Sequence, residues 1–179
     1  MSFLLRPTLP LNRIPQLTLV SAVACAQTIE EVAGVVAHIK WPNDIYVNGK
    51  KVCGILTELV TDQQEVRSVI VGVGINVNQA AFPEELIQKA SSLRIEAGKK
   101  IDRSILLKTF CRRFEKLYDT YLSAGFKPIK LMWEGYSVSI GKEVAARTPQ
   151  GTFYGKALGI DDEGILQLQL SDGSIKQIY

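Results

Sequence analysis

A chain of 179 residues, 46% hydrophobic and 22% charged, carries enough apolar material for a sizeable core, which argues against wholesale disorder. Its 21 basic and 18 acidic residues leave a net charge of +3, scattered rather than gathered in a stripe, so a nucleic-acid footprint is not expected. Three widely spaced cysteines and a single histidine, His38, argue against a zinc centre and a disulfide framework.

The opening MSFLLRPTLP has only a short apolar stretch before an Arg and two Pro, unlike a secretory signal. No run of about 18 apolar residues occurs, so no membrane span is expected. Cys25, Cys53 and Cys111 each lie in an apolar run and read as buried thiols of a reducing, cytoplasmic compartment.

Ser2 to Arg6 reads as a strand, ended by Pro7 and Pro10. Pro15 opens a helical stretch to about Val36, with Leu17, Val20, Ala24 and Thr28 on one face. Ala22, Ala26 and Ala33 allow close packing, and Glu30 and Glu31 mark the polar end. From His38 to Asn78 β-branched and aromatic runs alternate with turn chemistry. Asn48-Gly49 is a strong hairpin signal, and Thr61 to Glu65 is the next polar turn. The pattern from Glu84 to Trp133 is helical again. Its clearest helix runs from an Asp102 N-cap to about Ser123, with Ile105, Leu106, Phe110, Phe114, Leu117, Tyr118 and Tyr121 in a 3.6 period. Gly125 ends it, and Pro128 starts a last short helix through Met132 and Trp133. From Gly135 onward, short strands are punctuated at Gly141, Pro149 to Gly151, Asp161 to Gly164 and Asp172-Gly173, as in a small all-β barrel. The expected fold class is α+β, with a mixed, mostly antiparallel sheet carrying helices on one face and this small barrel following.

The segment KWPNDIYVNGKKVCGIL, Lys40 to Leu56, holds the most specific chemistry. Lys40 falls at a strand end, Pro42 holds Trp41 extended, and Asn43 and Asp44 follow in a loop beside the sheet. Lys50, Lys51 and Gly54 lie on the next strand. Gly72, Gly74 and Asn76, spaced two apart, share one face of the strand after it. Glycine inside a strand costs stability and often marks close approach of a ligand. Same-face glycines with a lysine pair and free Asn amides suggest a flat anionic ligand lying on the sheet. Each feature also has a plainer reading. Gly-x-Gly accommodates an overlying helix, Lys50-Lys51 is solvated beside a hairpin, and Asp44 is a turn residue or cap.

The run K-W-P-N-D, then K-x-x-G-I-L, then G-x-G-I-N resembles the biotin–protein ligase family, also called biotin–[acetyl-CoA-carboxylase] ligases. The similarity extends from the first residues through the C-terminal barrel. It implies a catalytic core over residues 1–134 and a small SH3-like β-barrel over 135–179. It also implies a two-step reaction with biotin, ATP and Mg2+. The biotin carboxylate attacks the α-phosphate of ATP to give biotinyl-AMP and pyrophosphate. A lysine of a biotin carboxyl carrier protein then takes the acyl group and AMP leaves. By position, Lys51 matches the lysine that contacts the carboxylate and later the acyl-phosphate. Lys40, Asn43 and Asp44 match the motif beside the nucleotide, Asn43 and Asn76 lie near the adenine, and Gly54, Leu56, Gly72 and Gly74 form the floor. No metal-ligating residue is assigned. Lys51 and Gly54 have opposite parity on a regular strand, so either a bulge or the hairpin end is expected to turn Lys51 toward the ligand.

The family also carries a G-R-G-R-x-x-R-type loop, a Ser/Thr–Gln region around the biotin ring and, in many members, an N-terminal winged helix that binds DNA. None occurs in residues 1–179, so no nucleic-acid partner is expected of this chain. The chain is therefore expected to fold but to be a poor ligase alone. The alternatives are a non-catalytic nucleotide-binding fragment and a carrier-docking module. A homodimer is left open.

Overall fold

The first strand, β1 (Ser2–Leu5), alternates between a solvent side and a core side and ends one residue before Arg6. A 3-10 turn, Leu11–Arg13, leads into helix α1 (Gln16–Ala33). This helix stops short of Val36 because Gly34 takes the C-cap in a left-handed conformation, its N–H donating to the Glu30 carbonyl. Strands β2 (His38–Lys40), β3 (Asp44–Val47), β4 (Lys50–Asp62) and β5 (Glu65–Ile75) follow. In this computed structural model residues 1–62 and 65–179 are described. The turn expected over Thr61 to Glu65 therefore has its centre outside the described residues. Asn48 and Gly49 make the expected hairpin between β3 and β4, both with positive φ (48° and 77°).

The five strands form one sheet in the order β1-β5-β4-β3-β2, and every ladder is antiparallel. Parallel pairing among the described residues is confined to two isolated bridges, Ile39 to Ser137 and Lys51 to Ala90. One face of the sheet is the core. Ile39, Ile45, Val47, Val52, Cys53, Ile55, Val69, Val71 and Val73 are buried there. Helix α1 lies in that core, with Leu17, Val20, Ala24 and Thr28 fully buried as the periodicity requires.

Helix α3 (Arg103–Ala124) begins at Asp102, whose carboxylate accepts from the N–H groups of Ser104 and Ile105. It packs against α1 and reaches the sheet through Phe110 and Phe114, whose rings lie 5.3 and 5.9 Å from that of Phe3. Helix α4 (Lys127–Tyr136) carries Pro128 in its first turn and continues past the expected boundary at residues 134 and 135.

Two expectations are corrected. The stretch from Glu84 to Ser92 is not helical but a series of turns, and only the short helix α2 (Leu93–Ala97) precedes α3. An apolar pattern so short cannot nucleate a helix when its groups find partners elsewhere. The N–H of Ser91 donates to the Lys51 carbonyl and that of Leu93 to the Asn76 carbonyl, tying the stretch back to the sheet. Cys111 is exposed on α3, whereas Cys25 and Cys53 are buried.

The C-terminal residues form a second antiparallel sheet, β6 (Glu143–Thr148), β7 (Gly151–Ile160), β8 (Leu166–Gln169) and β9 (Ile175–Ile178), ordered β6-β7-β8-β9. Ala157, Leu166, Leu168 and Ile178 make its own small core. It leans on the first unit through the Asp161–Ile165 turn. Gln16 donates to the Asp162 carbonyl at 2.9 Å, Lys130 pairs with the Asp162 carboxylate at 3.0 Å, and Trp41 donates to the Gly164 carbonyl at 3.1 Å.

Candidate functional site

The face of the first sheet away from the helices is open, and cross-strand register decides which residues share it. Lys40 stands opposite Asp44, Asp44 opposite Gly54, and Gly54 opposite Gly74, so four residues on four strands form one row. The next row contains Ser2, Gly72 and Leu56. On the other side His38, Tyr46 and Lys51 form a third. Leu4 and Leu56 on this face are 57% and 59% exposed, an apolar surface that no helix covers.

The parity conflict at Lys51 is resolved by a bulge. Tyr46 pairs with Lys51 and its neighbour Ile45 pairs with Cys53, so Val52 is the extra residue of β4. Val52 and Cys53 are consequently both buried, and Lys51 turns to the open face with Gly54. Its ammonium forms a 2.6 Å ion pair with Asp44, at side-chain exposures of 43% and 23%. The Lys40 ammonium lies 5.6 Å from the centroid of the Tyr46 ring.

The two glycines of β5 are not there to admit a helix. A Cβ at Gly72 would meet nothing nearer than the Leu56 carbonyl at 3.6 Å, and one at Gly74 nothing nearer than the Gly54 carbonyl at 3.8 Å. Both are ordinary contacts with the sheet itself. What the glycines leave clear is the space above it.

Asn43 and Asn76 depart from the reading of their amides as free. Asn43 donates its side-chain N–H to the Ile55 carbonyl at 2.8 Å, and its own carbonyl accepts from the Ile55 N–H at 2.9 Å. Asn76 donates to the Ser91 carbonyl at 3.0 Å. Each holds a loop to the sheet, and the backbone carbonyl nearest in space outcompetes an unfilled site.

Sequence reasoning missed two features. The turns at Pro83–Ala90 return to the bulge, where Lys51 donates its N–H to the Lys89 carbonyl at 2.9 Å. No motif announces this, since the pairing is long-range and backbone only. The second is a cleft of about 510 Å3 beside the part of β4 that runs past the end of β3, between the start of α1, the Trp41-Pro42-Asn43 segment, Ile55 to Thr57 and the Glu163–Ile165 turn. It meets the open face at Leu56 and contains neither Gly72 nor Gly74.

Residues 1–76 match the model of the biotin/lipoate A/B protein ligase family, and residues 139–179 that of the biotin protein ligase C terminal domain. The biotin–[acetyl-CoA-carboxylase] ligase of Paracoccus denitrificans is 32% identical over 94% of this chain and 72% of its own length. The chain belongs to the biotin protein ligase family. A ligase of this family from Aquifex aeolicus, solved in complex with biotin and ATP, superposes with a TM-score of 0.88 at 34% identity, over 99% of this chain and 73% of that one. The bifunctional ligase/repressor BirA of Bacillus subtilis is 56% identical over the whole of this chain, which spans 55% of the length of that relative. The family fold therefore accounts for both sheets.

Proposed function

We propose that this chain acts in ATP-dependent biotinylation, with the open sheet face as the bed of biotinyl-AMP and a lysine of a biotin carboxyl carrier protein as final acceptor. The observation that carries the reading is the register. Residues scattered from 40 to 74 in the sequence fall on three adjacent rows of one uncovered face, with a lysine at one end and exposed leucines at the other. Biotin and ATP are the ligands of the Aquifex aeolicus relative, which supports these two substrates here.

The chemistry asks two anions to meet. The Lys51 ammonium would hold the carboxylate of biotin against the α-phosphate of ATP, offsetting repulsion, and would stay with the acyl-phosphate once formed. Leu56, Gly72 and Gly74 would form the floor, with Gly54 beneath the Lys51 side chain, while Lys40, Asn43, Asp44 and Asn76 would flank the nucleotide. Among the described residues no cluster of three His, Cys, Asp or Glu side chains is placed to hold a metal ion. Mg2+ would therefore arrive on the phosphates of ATP, as it commonly does. Among the described residues no helix is long and apolar enough to cross a membrane, and the three cysteines are free, which supports a cytoplasmic setting.

The test is to incubate the chain with biotin, ATP, magnesium and a carrier domain and to follow the carrier by mass spectrometry. One biotinyl group per carrier when a relative's glycine–arginine-loop segment is fused ahead of residue 1, far less without that segment, and loss of transfer in the fused Lys51→Ala protein are the expected results. Nucleotide binding without transfer would favour the reading as a nucleotide-binding fragment, and carrier binding without nucleotide binding the docking module.

A further inference from the structure

Resting on the reading of Lys51 as the lysine that binds the ligand's anion, we infer that Asp44 and Gly54 serve the ligand through Lys51. Asp44 is the positioning residue that holds the ammonium over the sheet, and Gly54 is a glycine because the lysine side chain crosses it.

Three observations meet here. The bulge at Val52 brings Lys51 to the open face at the strand end, aside from the row formed by Lys40, Asp44, Gly54 and Gly74. From there its side chain turns back over that row. A Cβ placed on Gly54 would lie 3.3 Å from both Cε and Nζ of Lys51 and 3.6 Å from Oδ1 of Asp44. Gly72 and Gly74 differ, since a Cβ on either meets only backbone or the near end of the Leu56 side chain. The third observation is the 2.6 Å contact between Lys51 Nζ and Asp44 Oδ1. Asp44 sits directly opposite Gly54, so its carboxylate receives the ammonium at the end of that path.

The physical reason is preorganisation. A lysine ammonium on a flexible four-carbon stem loses rotamer freedom when it is fixed against a ligand. Asp44 fixes it beforehand with one N–H, leaving two donors for the incoming anion. Affinity rises because the ordering is complete before binding. A direct contact between Asp44 and the nucleotide would act differently, adding its effect whether or not Lys51 were present.

A double-mutant cycle separates the two. The probe is the reduced phosphodiester analogue of the acyl adenylate, in which the alcohol of biotin is joined to AMP. Its affinity is measured by calorimetry for the unsubstituted chain, Asp44→Asn, Lys51→Ala and the double variant, with folding checked by circular dichroism. The expected losses are at least tenfold for Lys51→Ala and at least fivefold for Asp44→Asn. The double variant should be within twofold of Lys51→Ala alone, and Asp44→Glu should recover part of the loss. Gly54→Ala should cost at least threefold with Lys51 present and nothing detectable in the Lys51→Ala background. Losses that multiply would place Asp44 on the ligand and overturn the inference, as would an Asp44→Asn variant that binds normally. If Lys51→Ala itself binds normally, the underlying reading of Lys51 fails and takes this one with it.

Discussion

The indole Nε1 of Trp41 donates to the carbonyl of Gly164 at 3.1 Å, across 123 residues of sequence. This bond joins the loop that carries Pro42 and Asn43 to the turn by which the C-terminal unit leans on the core. Asp44, expected in that loop from the sequence, is instead the first residue of β3, into which the loop leads. Gly164 has φ of 87°, and a Cβ there would lie 2.6 Å from Cδ1 of Leu19. Gly164→Val combines backbone strain with overpacking and should cost about 2–4 kcal/mol, read as a lowered urea midpoint. Trp41→Phe leaves the buried carbonyl unpaired and should cost about 1–3 kcal/mol. Both should weaken ATP binding, since the turn steadies the loop; a stability loss with unchanged binding would separate the loop from the turn.

Lys50 and Lys51 test the bulge. Lys50 pairs with the buried Val47, whereas Lys51 pairs with Tyr46 on the open face. Losing a charged partner of a bound anion costs about 2–5 kcal/mol. In a protein that also carries the family's glycine–arginine loop upstream, Lys51→Ala should reduce biotinyl-AMP formation at least tenfold and Lys50→Ala less than threefold, measured by release of pyrophosphate. Equal effects would remove the basis for distinguishing them.

Gly74→Val should fold, because the added atoms enter open space above the Gly54 carbonyl. It should nevertheless abolish calorimetric ATP binding by raising the floor under the ligand. An unfolded variant would instead return Gly74 to a packing role, and unaltered binding would move the ligand off this face.

The hairpin at Asn48-Gly49, the Asp102 cap and the shared face of Gly54, Gly72 and Gly74 on β4 and β5 were legible because each depends on neighbours in sequence or on strict alternation. Alternation also exposed the conflict between Lys51 and Gly54, which a bulge or the hairpin end could have relieved; the bulge at Val52 is the one that does. The segment from Glu84 to Ser92 was not legible, because its partners are backbone groups of Lys51 and Asn76 on two other strands. The amides of Asn43 and Asn76 mislead for the same reason: a side-chain donor has no sequence mark saying that a distant carbonyl already claims it. Cys111 sits in α3, whose period turns Leu106, Phe110, Phe114, Leu117 and Tyr121 inward; it falls on the exposed side, as does Ile105, which the apolar pattern places on the inner face.

The thiols give a direct check of that core. Burial pushes the Cys25 thiol well above its ordinary range, and the Cys53 thiol 3.9 Å away adds to the effect. Its thiolate is therefore scarce as well as inaccessible. Ellman's reagent should titrate one thiol in the folded chain, at Cys111, and all three in denaturant. Cys111→Ser should abolish the native reaction. A second fast thiol would mean that α1 and β4 separate readily.

Tyr136, the last residue of α4, donates its hydroxyl to the Glu30 carboxylate at 2.8 Å, tying this helix to the end of α1. Partial burial first, and then this bond and the charge of Glu30, push the phenol up to about 12. An unfolded tyrosine loses its proton near 10. Between these two values the folded chain keeps a proton that the unfolded chain has released, so stability falls as pH rises. The contribution is complete below about pH 10 and gone above about 12, and it has no effect on acid unfolding. Tyr136→Phe removes the bond and should cost about 1 kcal/mol at pH 7. Because the substituted chain has no such proton to lose, its stability should then fall less steeply from pH 10 to 12. Tyr118 and Tyr121, also raised by burial, leave a residual slope in both proteins. Urea unfolding at pH 7, 10, 11 and 12 measures the difference, and curves that stay parallel would show that the bond to Glu30 is absent in solution.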